Sequence, residues 1–135
     1  MLNLFRIWMA VISALLGVQI FLAGYGAIAV GAPAEAYELH IMNGRLIALL
    51  SLVSIPLAAL ARAGGKPVAL ASIAFGLVIL QSVIALVSVD GTVVGQLIFG
   101  LHAVNGLLIM AVAGRAGGAA KRIRADRGAP QPAEA

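Results

Sequence analysis

The chain has 135 residues, of which 62% are hydrophobic and 10% charged, with a formal net charge of +4 at pH 7 and no cysteine. So few charged residues exclude an ordinary soluble domain and a disordered chain, because soluble proteins carry about a quarter charged residues, and the absence of cysteine excludes disulfides and thiolate chemistry. The basic residues lie at the ends of apolar segments and in the C-terminal tail, which is typical of a membrane protein and argues against nucleic acid as a partner.

Four long apolar segments follow one another along the chain. They predict transmembrane helices near residues 6–30, 37–62, 67–89 and 93–115. Each segment is long enough to cross about 30 Å of hydrocarbon as a helix, and open strands cannot span a bilayer. We therefore predict an all-α, four-helix transmembrane bundle over residues 1–116. The remaining residues, 117–135, are rich in Ala, Gly, Pro and charge, and we expect them to form a disordered, basic cytoplasmic tail.

Basic residues mark one side of the predicted bundle. They precede the first helix, join the second to the third, and follow the fourth: Arg6, Arg62, Lys66, Arg115, Lys121, Arg122, Arg124 and Arg127. The other two connections contain Glu35, Glu38 and Asp90 without Lys or Arg. The positive-inside rule therefore predicts a multi-pass protein of the cytoplasmic membrane with both termini in the cytoplasm.

The sequence contains an internal repeat at a shift of 62 residues. The pattern Leu-His-x-x-Asn-Gly-x-Leu-Ile occurs at 39–47 and again at 101–109, each time with a glutamine 21 residues before the histidine. The paired positions are Gln19 with Gln81, His40 with His102, Asn43 with Asn105, and Gly44 with Gly106. Polar matches of this kind are specific because such residues are rare in membrane spans. The bundle is thus predicted to consist of two repeated helical hairpins, at about 6–62 and 67–124.

The two histidines are the central candidates for function. His40 and His102 are the only histidines in the chain, and copies running in the same direction place them at the same depth. Two imidazoles on facing helices supply both axial ligands of a heme iron, so we predict that they are the metal ligands of heme b. Zinc or copper would usually require three or four protein ligands. The alternative is that the histidines only hydrogen-bond between helices.

Four residues beside the histidines are candidates for the same cofactor site. Gly44 and Gly106 lie one turn beyond the histidines on the same face, where a missing side chain would leave room for a porphyrin or serve only helix packing. Asn43 and Asn105 are candidates to bind a water, a heme propionate or the second ring nitrogen of a histidine.

Three further polar residues have alternative roles. Arg45 would extend outward to solvent, pair with Glu38, or meet a heme propionate. Gln19 and Gln81 lie deeper in the predicted spans, where they would hydrogen-bond between helices or contact the edge of the cofactor.

At these residues the chain resembles two kinds of protein. It is similar to a bacterial family of small four-helix membrane proteins of unknown function, which read Glu-Leu-His…Gly in the second helix and Leu-His-x-x-Asn-Gly in the fourth. It also resembles one half of heme A synthase, which is built from two four-helix bundles, each with a histidine on its second and fourth helices. Gln19, the Phe-Leu-Ala-Gly that follows it, and Gln81 match the glutamine-containing odd helices of that enzyme.

The resemblance to heme A synthase covers roughly residues 15–112 and implies a scaffold that holds heme. Heme A synthase usually has a glutamate three residues before its second-helix histidine and an arginine after it. This chain has Tyr37 and Ile41 at those positions, and it contains one bundle rather than two.

The function predicted from these features is a membrane-embedded bis-histidine heme b protein. With both axial positions filled, the iron has no open site for a substrate, which favours electron transfer or a small subunit of a respiratory complex over an enzyme. The partners would be the lipid bilayer and either a quinone or a larger respiratory assembly. Two alternatives stay open: a heme- or quinone-handling enzyme related to heme A synthase, and a structural accessory subunit without cofactor. Homo-oligomerisation is also open.

Overall fold

The fold is known from a computed structural model, which describes residues 1–30, 32–88 and 92–128. Over these ranges the chain forms helices and no strands. The helices are α1 (Leu2–Ile28), α2 (Pro33–Ala36), α3 (Glu38–Leu60), α4 (Gly65–Val87) and α5 (Val93–Gly128). The four long helices match the four predicted spans, so the prediction of an all-α four-helix bundle is confirmed.

Each of the four long helices is long and apolar enough to cross a membrane. The shortest of them has 23 residues, which corresponds to about 35 Å of helix. The fold is therefore that of a multi-pass membrane protein.

The long helices occupy the corners of a square. α1 and α4 each pack against both α3 and α5, whereas α1 does not pack against α4 and α3 does not pack against α5 over the described ranges. The two hairpins predicted from the repeat, α1 with α3 and α4 with α5, therefore lie side by side. Helices α3 and α5, which carry the histidines, stand at opposite corners.

The two ends of the bundle differ in packing. We call the end that holds the start of α1, the α3–α4 connection and the end of α5 the terminal end. Its core is tightly packed and rich in alanine, and its fully or almost fully buried residues include Phe5, Met9, Ile12, Ala58, Ala113, Ala116 and Ala120. Small side chains let membrane helices approach closely. Trp8 adds a link between α1 and α3 here, because its Nε1 donates to the Leu50 carbonyl at 3.0 Å.

The opposite end, which we call the histidine end, is more open. In α3 no residue before Ile47 is buried, and in α1 the only buried residue after Leu16 is Gly26. A Cβ on Gly26 would lie 2.7 Å from Cδ1 of Tyr37, so the missing side chain lets the end of α1 meet the start of α3. The polar residues of the repeat lie at this loosely packed end.

Helix α5 extends further than the sequence predicted. Residues 117–128 continue the helix instead of starting a disordered tail, and Ala119 and Ala120 are buried. Ala, Lys and Arg are good helix formers. Two long-range contacts also fix the extension: Arg124 Nη1 donates to Asn3 Oδ1 at 2.6 Å, and Arg127 Nη2 donates to the Arg62 carbonyl at 2.6 Å. The last part of the predicted tail, 129–135, lies outside the described residues.

Candidate functional site

The fold brings His40 and His102 together across the bundle. Their ring centroids lie 6.1 Å apart and their planes are tilted by 40°. Both side chains are half-buried. Because α3 and α5 stand at opposite corners, the two rings approach each other from opposite sides of the interior.

In the first hairpin, Gln19 and Asn43 tie α1 to α3. Gln19 Nε2 donates to the His40 carbonyl at 2.9 Å. Asn43 Nδ2 donates to Gln19 Oε1 at 2.6 Å and to the Leu15 carbonyl at 3.0 Å. The glutamine amide is therefore used at both its nitrogen and its oxygen. We call this arrangement the amide clamp.

The second hairpin repeats the amide clamp residue for residue. Gln81 Nε2 donates to the His102 carbonyl at 2.8 Å, and Asn105 Nδ2 donates to Gln81 Oε1 at 2.6 Å and to the Leu77 carbonyl at 2.8 Å. The repeat in the sequence is thus a repeat of hydrogen bonds between helices. Of the two roles predicted for the glutamines, the structure contains the interhelical one.

The ring nitrogens of the two histidines have different surroundings. Nδ1 of His40 lies 3.1 Å from the Gln19 carbonyl. A carbonyl only accepts, so the proton belongs on Nδ1 and the lone pair on Nε2. Nδ1 of His102 is buried without a hydrogen-bond partner in the described part of the chain. Such an atom is costly to bury, and the only other one described is Oγ of Ser51.

An aromatic ring lies against each histidine, and the sequence reasoning missed this pair. Tyr37 meets His40 edge-on, with centroids 6.0 Å apart and planes at 83°. Phe99 stacks on His102 with centroids 5.0 Å apart and planes at 12°. The signal was present, because the shift of 62 residues also aligns Tyr37 with Phe99.

The two glycines of the repeat lie beside the glutamine amides. A Cβ on Gly44 would lie 3.2 Å from Nε2 of Gln19, and one on Gly106 would lie 3.7 Å from Nε2 of Gln81. A side chain on Gly44 would press on the Gln19 amide, whereas 3.7 Å at Gly106 is an ordinary van der Waals contact. Gly44 therefore lets the Gln19 side chain pass close to the helix that carries His40, and the space beside Gly106 is less tightly filled.

The remaining candidates lie further from the rings. The asparagines bond to Gln19 and Gln81 rather than to a histidine ring. Arg45 is exposed and forms neither a hydrogen bond nor an ion pair with Glu38. The predicted pairing with Glu38 is therefore absent, and the side chain is accessible to solvent.

The side chains that could bind a metal at this site are the two imidazoles. The described residues contain no group of three or more His, Cys, Asp or Glu side chains that could hold a metal ion. Structural and catalytic zinc sites use three or four protein ligands. A heme iron needs only the axial ones, because the porphyrin supplies the others, so a pair of histidines fits heme better than a bare metal ion.

Fold and site together define a four-helix membrane protein with a duplicated Gln–Asn–His arrangement. Residues 19–89 match the model of a family of unknown function (DUF6220). Because that range is more than half of the chain, the protein belongs to this family. The matched range starts at Gln19 and includes the whole first amide clamp except Leu15, and it ends before His102.

The other comparisons add no relatives. No curated protein and no solved structure matches the chain, so none of the comparisons links it to heme A synthase.

Proposed function

We propose that the protein is a membrane-embedded heme b protein in which His40 and His102 are the two axial ligands, and that it transfers electrons. The observation that carries the proposal is the 6.1 Å between the ring centroids. Two imidazoles that share one metal ion through bonds of about 2 Å have ring centres about 6 Å apart. The spacing therefore suits a pair of ligands on either side of one iron.

The surroundings of His40 suit a ligand. Metal-bound histidines usually donate their other ring nitrogen to a carbonyl or carboxylate, which fixes the tautomer and the ring orientation. The Gln19 carbonyl is in that position at 3.1 Å from Nδ1. Nε2 is then left with its lone pair available to iron.

The amide clamps do not explain why positions 40 and 102 are histidines. Each clamp uses the backbone carbonyl of the histidine, which any residue would supply. The ring of His102 makes no hydrogen bond through Nδ1 to any described residue, although that atom is buried. A role limited to joining helices therefore accounts for the glutamines, the asparagines and the His40 ring, which bonds to the Gln19 carbonyl, but it does not account for the His102 ring.

The amide clamps would set the ligand geometry. Each fixes the backbone of one histidine relative to the neighbouring helix of the same hairpin, so both rings are held before any cofactor arrives. Tyr37 and Phe99 restrict the ring orientations from the other side. When bound, the heme supplies one-electron redox chemistry. With both axial positions taken by the protein, electron transfer is favoured over reaction with a substrate.

One alternative has an observation in its favour. The histidine end is loosely packed, and both histidines are only half-buried. This openness would suit a heme- or quinone-handling enzyme of the kind that heme A synthase represents, because a substrate could approach the rings. In the electron-transfer proposal, the same openness serves contact with a quinone or a respiratory partner.

The test replaces the histidines one at a time. We expect His40→Ala and His102→Ala each to convert the heme from low spin to high spin or to lose it, because one axial ligand remains. Free imidazole added to either variant should restore the low-spin spectrum. Gln96→Leu, an exposed change on the same helix as His102, is the control and should leave the spectrum unchanged.

Two results would contradict the proposal. One is a native spectrum in both histidine variants. The other is equal loss of heme in the Gln96→Leu control, which would mean that the change in the histidines acts through folding rather than ligation.

A further inference from the structure

The terminal end of the bundle carries most of the positive charge. Eight of the nine Lys and Arg residues lie there, all except Arg45. Among the described residues, the only acidic side chain at this end is Asp126. The proposed heme site, at the other end, does not use any of these cations.

A groove between α1 and α5 concentrates three of the cations. Its volume is about 710 Å³, and it is lined at its outer end by Arg6, Lys121 and Arg124. Further in, the lining residues include Ala10 and Ala113. None of the described residues that line the groove is acidic.

Two of the three cations have no partner among the residues that the structure describes. Arg124 donates to Asn3. Arg6 and Lys121 form no hydrogen bond or ion pair with any described residue. Two cations without a partner in the described part of the chain, both facing one groove, have the charge that an anion requires.

The groove changes character with depth. α1 and α5 run in opposite directions, so Arg6 near the start of α1 lies opposite Lys121 near the end of α5. Towards the middle of the bundle the wall is formed by small residues. A Cβ added to Gly114 would have no neighbouring atom within 4 Å, so the groove is open at this depth.

We propose that this groove binds one anionic phospholipid. Arg6 and Lys121 hold the phosphate at the membrane surface, and an acyl chain lies along the small residues between α1 and α5. Charged groups at the surface and an apolar channel leading into the bilayer match the two parts of a phospholipid. Basic pockets between transmembrane helices bind lipid headgroups for the same reason. The site does not depend on the heme proposal.

The test measures lipid binding by native mass spectrometry. The full-length protein, freed of lipid in detergent, is titrated with phosphatidylglycerol and with phosphatidylcholine. We expect the anionic lipid to bind more tightly. The double variant Arg6→Gln/Lys121→Gln should bind it about 30-fold more weakly, at about 1 kcal/mol for each cation near the membrane surface.

A charge-matched control separates a site from general attraction. Arg62→Gln/Lys66→Gln removes the same charge from the same end of the bundle, at positions that do not line the groove, and it should leave the affinity unchanged. Soluble glycerol phosphate in excess should not displace the lipid, because it lacks the acyl chain.

A second variant tests the apolar part without changing charge. Gly114→Leu fills open space, so it should weaken lipid binding while the fluorescence of Trp8 stays native. The proposal is overturned if phosphatidylcholine binds as tightly as phosphatidylglycerol, or if the control loses as much affinity as the groove variant. It is also overturned if Gly114→Leu abolishes a dimer instead of lipid binding, since the occupant would then be a second copy of the chain.

Discussion

The second amide clamp offers a quantitative test of how the bundle is held together. Asn105→Leu keeps a similar volume and removes two hydrogen bonds between helices, to Gln81 Oε1 at 2.6 Å and to the Leu77 carbonyl at 2.8 Å. Hydrogen bonds between transmembrane helices contribute on average about 0.6 kcal/mol and at most about 1.7 kcal/mol. Asn105 is only 7% exposed. We therefore expect the free energy of unfolding to fall by about 1–2 kcal/mol.

A double-mutant cycle isolates the bond between the two amides. Asn105→Leu, Gln81→Leu and the double variant are unfolded in mixed micelles of increasing dodecyl sulfate content. Trp8, the only tryptophan, serves as the fluorescence probe. Since both single variants break the same bond, the double variant should lose less than the sum of the two, by about 0.6 kcal/mol.

The first hairpin and a control within one helix complete the experiment. Asn43→Leu with Gln19→Leu should give the same coupling, because the corresponding distance is also 2.6 Å. Ser72→Ala breaks a bond within its own helix at an exposed position and should change the stability by less than about 0.5 kcal/mol. Additivity within about 0.3 kcal/mol in both hairpins would refute a stabilising bond between the asparagine and glutamine amides.

Two further predictions concern the connection at the histidine end and the orientation in the membrane. Gly26→Ala should lower the free energy of unfolding by about 1–3 kcal/mol in the same assay, because its Cβ would lie 2.7 Å from the Tyr37 ring. Gly24→Ala is the control, because a Cβ there would have no atom within 4 Å. Equal effects of the two variants would contradict the close approach of Gly26 to Tyr37. A reporter fused after Ala135 should be active only in the cytoplasm and one inserted at Ala34 only outside, because the positive charge lies at the terminal end; the reverse pattern would contradict the predicted orientation.

The repeat in the sequence predicted which polar residues lie close together but not how they pair. Matching Gln, His and Asn at a shift of 62 residues led to both hairpins and to the histidines. The asparagines were considered as partners of the histidine ring. They bond to the glutamines instead, because the choice depends on which side chains meet across two packed helices. Spacing along one helix does not determine that.

The other differences also arise from long-range contacts. The Ala-rich basic segment after residue 116 has a composition compatible with both a helix and a disordered tail. The contact between Arg124 and Asn3, which are 121 residues apart in sequence, favours the helix. The shift of 62 residues also aligns Tyr37 with Phe99, but two different aromatic residues are a weaker match than identical polar ones, and their position against the histidine rings marks them as part of the site.

The optical spectrum of the native protein, purified from heme-replete cells, tests directly whether His40 and His102 bind heme. We expect about one heme b per chain, since two axial ligands hold one iron. The spectrum should be low-spin, with a sharp alpha band on reduction and little change on adding carbon monoxide. A heme that binds carbon monoxide readily would favour the heme- or quinone-handling enzyme instead. A colourless protein would contradict the assignment of His40 and His102 as heme ligands.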